Sequence, residues 1–285
     1  MGTTQRLRGE TEDAVEKIPE LLLQIKSIFF IGLSIGILIN YPTLVRAKSN
    51  NPINSKLKEA ASKQKEPPNR GTPITNDGTG SRGDCLHKHN KPPLTRLVGS
   101  RNLNLTVSQY PTFWIYVPYT RKEVSEAVFT LQNEDSEVYR TDFELPEKPG
   151  IVSINLPSTA SIAVGKQYRW YFDIKCSVSQ VSDKSSIPIS LTGVVKRVAK
   201  SSAFQSKLKN AKTSLGRMKI YANYGIWYET LTEIAQIKQS KPHNSALNKI
   251  WFELLSQPQV GLEKIASEPI LGNIKSNSIT NSPLK

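Results

Sequence analysis

Histidine and cysteine are scarce in this chain of 285 residues: His87, His89 and His243 are the only histidines, and Cys85 and Cys176 the only cysteines. That scarcity bears on metal chemistry first. Cys85-x-His87-x-His89 offers three donors in an extended segment, one short of a closed structural set, so neither a metal nor a cofactor is expected. The chain also lacks a Gly-x-Ser-x-Gly elbow, a His-Glu-x-x-His pair and a phosphate-cradling glycine loop. Cys85 and His87 would be neighbours in sequence, whereas a nucleophile and its base ordinarily converge from separate elements. No catalytic residue is expected, and a non-catalytic role is favoured. The alternative is a carbohydrate-active or other hydrolytic enzyme whose carboxylates meet only in three dimensions.

A long hydrophobic run is missing too. Ile28 to Ile39 is apolar over twelve residues, which as a helix covers about 18 Å of a hydrocarbon core roughly 30 Å thick. Lys26 precedes it, Asn40-Tyr41-Pro42 end it, and Val45-Arg46-Ala47 offers a cleavage site. Residues 1–47 therefore read as a signal peptide, although five acidic residues before Lys26 are unusual for one. An uncleaved inner-membrane anchor over residues 21–39 is the alternative. Either way the remainder is expected in the periplasm or cell envelope, touching the membrane only through that leader or anchor.

Positive charge is what the chain has in excess, +14 overall. Residues 48–102 carry eleven basic and four acidic side chains and residues 200–285 carry twelve and five, whereas residues 103–199 balance at ten and ten. The excess suits an acidic partner: an envelope protein, an acidic polysaccharide or a lipid surface. No aromatic-interleaved basic strand accompanies it, so nucleic acid is not expected. Residues 48–84 hold four prolines and four glycines among polar residues, the composition of a disordered basic linker. Export favours pairing of Cys85 with Cys176, worth roughly 4 to 5 kcal/mol for so large a loop in the chain-entropy account. The Arg82-Gly83-Asp84 triplet just before Cys85 reads as a turn. The Asn104-Leu105-Thr106 sequon is one in form only, since it falls in a predicted strand.

The folded part is anchored by Ser161 to Cys176. After a turn at Gly165, Tyr168, Trp170, Phe172 and Ile174 fall on one face and Arg169, Tyr171, Asp173 and Lys175 on the other, the period of a half-buried strand. Similar short runs recur: Leu103 to Val107, Phe113 to Val117, Ala127 to Gln132, Glu137 to Leu145, Ile151 to Leu156 and Pro188 to Val198. Asn133 to Ser136 has hairpin-loop composition. Seven short strands without helical period predict an antiparallel β-sandwich of the immunoglobulin or fibronectin kind over residues 85–200. The Gly165-x-x-Tyr168 spacing fits a tyrosine corner, in which the phenol bonds back to the turn.

After Lys200 the period becomes helical. Phe204, Leu208 and Ala211 share a face, as do Trp227, Leu231, Ile234 and Ile237. Tyr221, Gly225 and Pro242 stand at tetratricopeptide-repeat spacings, with Trp251 near the start of a second unit and Thr230 where alanine is usual. A helical C-terminal region is expected over 201–270, containing one tetratricopeptide-like hairpin packed on the sandwich, and a polar, disordered tail over 271–285. The overall fold class is α+β.

The aromatic set Tyr110, Phe113, Trp114, Tyr116 and Tyr119 offers the best candidate surface. Half of it must face the core; Trp114, Tyr116 and Tyr119, with Arg121 and Lys122 nearby, would form a binding face if the sheet is open on that side. The other outcome, which is favoured, is that the helices cover it.

Arg82 to Cys85, Tyr110 to Tyr119, Gly165 to Cys176, Tyr221 to Leu231 and Gly261-Leu262 together resemble the cyanobacterial domain-of-unknown-function family numbered nine hundred and twenty-eight. The resemblance runs from about Gly80 to Pro269. It implies an exported protein and carries over no catalytic residue.

Overall fold

The computed structural model of the chain describes residues 85, 88, 90–98, 104–134, 136–177 and 188–276. The expected signal peptide, the basic linker, the Arg82-Gly83-Asp84 triplet, His87 and His89 lie outside the described residues.

Among the described residues, two β-sheets and four α-helices make up this mixed α/β fold. The strands are β1 (Thr95–Arg96), β2 (Leu105–Thr106), β3 (Thr112–Val117), β4 (Val124–Asn133), β5 (Ser136–Glu144), β6 (Gly150–Asn155), β7 (Gln167–Cys176), β8 (Ile189–Arg197), β9 (Ile270–Asn273) and β10 (Lys275–Ser276). Helices α1 (Ser202–Asn210), α2 (Ser214–Asn223), α3 (Trp227–Ser240) and α4 (Ser245–Leu255) lie between β8 and β9 in sequence. One sheet has the order β1-β3-β6-β9 and the other β10-β5-β4-β7-β8-β2. The antiparallel expectation holds for β4-β5, β4-β7, β7-β8 and β3-β6. It fails at β2-β8 and β6-β9, which are parallel, because β2 and β9 reach their partners by long connections that no hairpin constrains.

The alternation in β7 is realised: Tyr168, Trp170, Phe172 and Ile174 are buried, and the residues between them are half-buried. They join Phe129 and Leu131 of β4, Leu191 and Val195 of β8, and Phe113, Ile115, Val152 and Ile154 of the four-stranded sheet in one apolar cluster. Phe113 and Phe129, one from each sheet, have ring centroids 4.8 Å apart. The opposite face of the four-stranded sheet is buried as well. Trp114, Tyr116 and Ile151 form a second cluster with Trp227, Leu231 and Ile234 of α3 and Ile250, Trp251 and Leu254 of α4. Burial on both faces is why Thr112–Val117 reads as an almost unbroken apolar run.

The last described residues tie the layers together. Expected within a disordered tail, residues 271–276 instead contribute to both sheets: β9 pairs with β6, β10 pairs with β5, and buried Ile274 between them donates its N–H to Ser153 O at 3.0 Å. Polar composition suits these residues because they occupy sheet edges, where one side of the strand meets water. The helical stretch therefore does not stand apart as a region of its own; it is an excursion between strands of the same sheets. No helix among the described residues is long and apolar enough to cross a membrane.

Candidate functional site

Trp114, Tyr116 and Tyr119 are 3%, 0% and 6% exposed, so the open aromatic face is not formed. Trp114 donates its indole N–H to Thr232 Oγ1 on α3 at 3.0 Å, and Tyr116 lies under the helical layer. Burial, reinforced by the nearby Glu268 carboxylate, pushes the Tyr116 phenol well above its ordinary range. Tyr119 packs into the cluster between the sheets, and its phenol is raised for the same reasons, burial and then Glu123. Arg121 and Lys122 are exposed on a short 3-10 turn, Arg121–Glu123, where Arg121 pairs with Glu144. The helices win the face because α3 and α4 carry their own apolar stripes and must bury them somewhere.

The first turn of α3 organises the interior, and each of its residues serves a different layer. Trp227 donates its indole N–H to Leu97 O at 2.9 Å. Tyr228 enters the cluster between the two sheets, where its hydroxyl accepts from Trp170 Nε1 and donates to Val194 O, both at 3.0 Å. Burial pushes this phenol far above its ordinary range. Glu229 Oε1 accepts from the hydroxyl of Thr106 at 2.5 Å and from the N–H groups of Val107 and Ser108 at 3.1 and 2.8 Å. Its other oxygen is buried and makes no hydrogen bond. Burial outweighs those donors and raises the Glu229 carboxyl above its ordinary value. Thr230, where an alanine is usual in the repeat pattern, is 1% exposed and returns its hydroxyl to Ile226 O at 2.7 Å. On the same side Arg96 is 6% exposed and donates to Thr192 O. Arg96 and Tyr228 thus satisfy carbonyls of β8 that the two-residue strand β2 does not reach.

At the far end of β7, Cys85 and Cys176 form a disulfide with Cα atoms 5.1 Å apart. Lys88 pairs with Glu123 and holds that carboxyl below its ordinary range, so the segment beside the disulfide is pinned twice. The Tyr168 hydroxyl accepts from Ala163 N–H at 3.0 Å, just before Gly165 at φ +80°. Among the described residues no group of three metal-type ligands occurs, and His243 is exposed between α3 and α4.

The outer surface carries the charge. Residues 188–228 contain eight basic side chains and no acidic one. Arg217 is clamped to Glu233 by hydrogen bonds of 2.7 and 3.0 Å, and Arg197 donates to Ile162 O. Lys200, Lys207, Lys209 and Lys212 are exposed along and beside α1, and among the described residues none of them makes an ion pair. Lys207 lies 5.6 Å from the ring centroid of Tyr224, which is 37% exposed. Charge counting over residues 200–285 registers this excess without locating it. The interior roles of Tyr228 and Glu229 have no local sequence signal beyond their place at a helix start.

No curated protein matches the chain. The family model described as Domain of Unknown Function (DUF928) matches residues 77–270. Within that span Tyr110 to Tyr119, Gly165 to Cys176 and Tyr221 to Leu231 are the tracts that supply the doubly buried strand, the central strand with its disulfide, and the first turn of α3. The chain belongs to the DUF928 family.

Proposed function

We propose that this protein is an exported, non-catalytic binding or structural module of the cell envelope that associates with an acidic surface. In this reading the two sheets are a β-sandwich of the immunoglobulin or fibronectin kind, with Tyr168 as its tyrosine corner, and α2 and α3 form a tetratricopeptide-like hairpin about Gly225. The leader directs export, and the basic linker tethers the folded part to the envelope. The observation that carries the reading is the separation of charge from core. Eight basic and no acidic residues lie within 188–228, four of the lysines are exposed and unpaired among the described residues, and the aromatic face is closed. Such a surface recognises anions by field and by counter-ion release, and needs no pocket.

One observation favours the hydrolytic alternative: Glu229 and Glu233 stand one turn apart on α3. Against it, Glu229 spends an oxygen on holding β2 and Glu233 is clamped by Arg217. Cell fractionation tests the proposal. The protein is expected with the envelope or periplasmic fraction, and recovery with cytosolic markers overturns it. Hydrolysis of an oligosaccharide panel that is lost in Glu233→Gln would establish the alternative in its place.

A further inference from the structure

Helix α1 is short, nine residues, and is fixed to the fold by one side chain above all. Phe204 is 2% exposed, packs with Val107 and Ile226, and meets Tyr224 edge-on with centroids 4.9 Å apart. The helix therefore lies along the surface with Phe204 and Leu208 inward and everything else outward. Apart from Ala203 its outward residues are polar or basic, and no exposed large apolar side chain stands on the helix itself. The exposed charges here are lysines, at 200, 207, 209 and 212, while the nearby arginines, Arg197 and Arg217, are engaged within the fold.

That division bears on the kind of anion recognised. An arginine fork reads a single carboxylate or phosphate in a fixed geometry, whereas lysine ammoniums are mobile point charges that respond to the summed field of many anions. Four lysines within thirteen residues, two on a surface-lying helix and one beyond each of its ends, match a broad plane of charge better than a single bound group. Tyr224, half out of the protein beside Lys207, adds the amphipathic ring that settles at the headgroup level of a bilayer.

We propose that the α1 surface, Lys200, Lys207, Lys209 and Lys212 with Tyr224, docks on an anionic lipid membrane. The inference rests on the acidic-surface reading above and narrows it to lipid headgroups. It also adds a membrane contact, made by the folded part, to that of the leader or anchor. Each lysine near such a surface raises partitioning by roughly fivefold, so four of them shift it by about two to three powers of ten at low salt.

Amine footprinting of the full chain tests it with the leader and linker in place. Acylation of each lysine is measured with no vesicles, with phosphatidylcholine vesicles, and with vesicles containing about one-third phosphatidylglycerol. The expected result is protection of Lys200, Lys207, Lys209 and Lys212 by the anionic vesicles alone, by tenfold or more, with exposed Lys241 and Lys249 on the α3-α4 side acylated at unchanged rates. The protection is also expected to vanish in about 0.5 M salt, as the Debye length shortens. Protection by a soluble acidic polysaccharide but not by anionic vesicles would overturn the lipid assignment and leave the acidic-surface reading standing. Uniform protection of all lysines, or none, would overturn the α1 surface itself; fractionation judges the envelope reading separately. Replacing the four lysines by glutamine is expected to lower phosphatidylglycerol-dependent binding by tenfold or more while circular dichroism stays unchanged. Unchanged binding would overturn the proposal.

Discussion

Trp170 at the centre of the six-stranded sheet donates its indole N–H to the hydroxyl of Tyr228, at the start of a helix, across 3.0 Å. The same hydroxyl donates to Val194 O, so one phenol joins two neighbouring strands to the helical layer. Tyr228→Phe keeps the ring and leaves the Trp170 N–H and the Val194 carbonyl buried without their partner. Leaving such groups unpaired costs about 1 to 3 kcal/mol. Urea unfolding is expected to show a lower midpoint with an unchanged slope; a midpoint equal to that of the parent chain would contradict this role.

The same indole lies so close to Gly193 that a Cβ there would sit 2.3 Å from its ring atoms. Because Trp170 is fully buried, it cannot step aside without disturbing Phe113 and Phe129, which touch it. Gly193→Ala is expected to destabilise by about 1 to 3 kcal/mol, as overpacking does. Denaturant titration with near-ultraviolet dichroism as a second readout checks it, since an unperturbed tryptophan signal would show that the site has room.

Much of this packing is legible in the sequence, and the exceptions have a common cause. Tyr168, Trp170, Phe172 and Ile174 alternate with polar neighbours, so their inward face is evident. The hairpin about Asn133 to Ser136 and the helical period at Leu231 and Ile234 are likewise local signals. Trp114 and Tyr116 are ambiguous because their strand is apolar on both sides, and periodicity cannot say whether the second side meets helices or water. The strands at Thr95–Arg96, Leu105–Thr106 and Lys275–Ser276 are two residues long, too short for any period. Ile270–Asn273 pairs with a strand far back in the chain. The partners of Tyr228 and Glu229 are equally remote, since a side-chain hydrogen bond to another layer leaves no trace in local composition.

Glu229 imposes a pH dependence whose sign follows from its raised carboxyl. A carboxyl easier to protonate in the folded state favours folding while it stays protonated, below its unfolded value near 4.5, and that contribution is lost as pH rises through the folded value. Glu229→Gln has no such proton to lose. The stability of the parent chain relative to the variant is therefore expected to fall as pH rises from about 4 toward neutrality. Paired denaturation curves across that range check it, and a difference that grows in favour of Glu229 would mean that its three donors outweigh burial.

Cys85 and Cys176 are 91 positions apart, so their bond constrains a long loop of the unfolded chain. Replacing both by serine is expected to cost up to about 4 to 5 kcal/mol in the chain-entropy account. The loss should appear as a lower melting temperature and faster amide exchange around Lys88 and at the end of β7. Loss of the ion pair alone, in Lys88→Met, should cost well under about 1 kcal/mol, since both partners are a third exposed.

The salt dependence of envelope attachment, measured side by side for the parent chain and for the chain with Lys200, Lys207, Lys209 and Lys212 replaced by glutamine, tests the functional account most directly. If a charged outer surface on a closed fold does the binding, the parent chain washes off isolated envelopes only at elevated salt, and the substituted chain washes off at markedly lower salt with its melting temperature unchanged. Superimposed release curves for the two chains, or attachment indifferent to salt in both, would contradict the account.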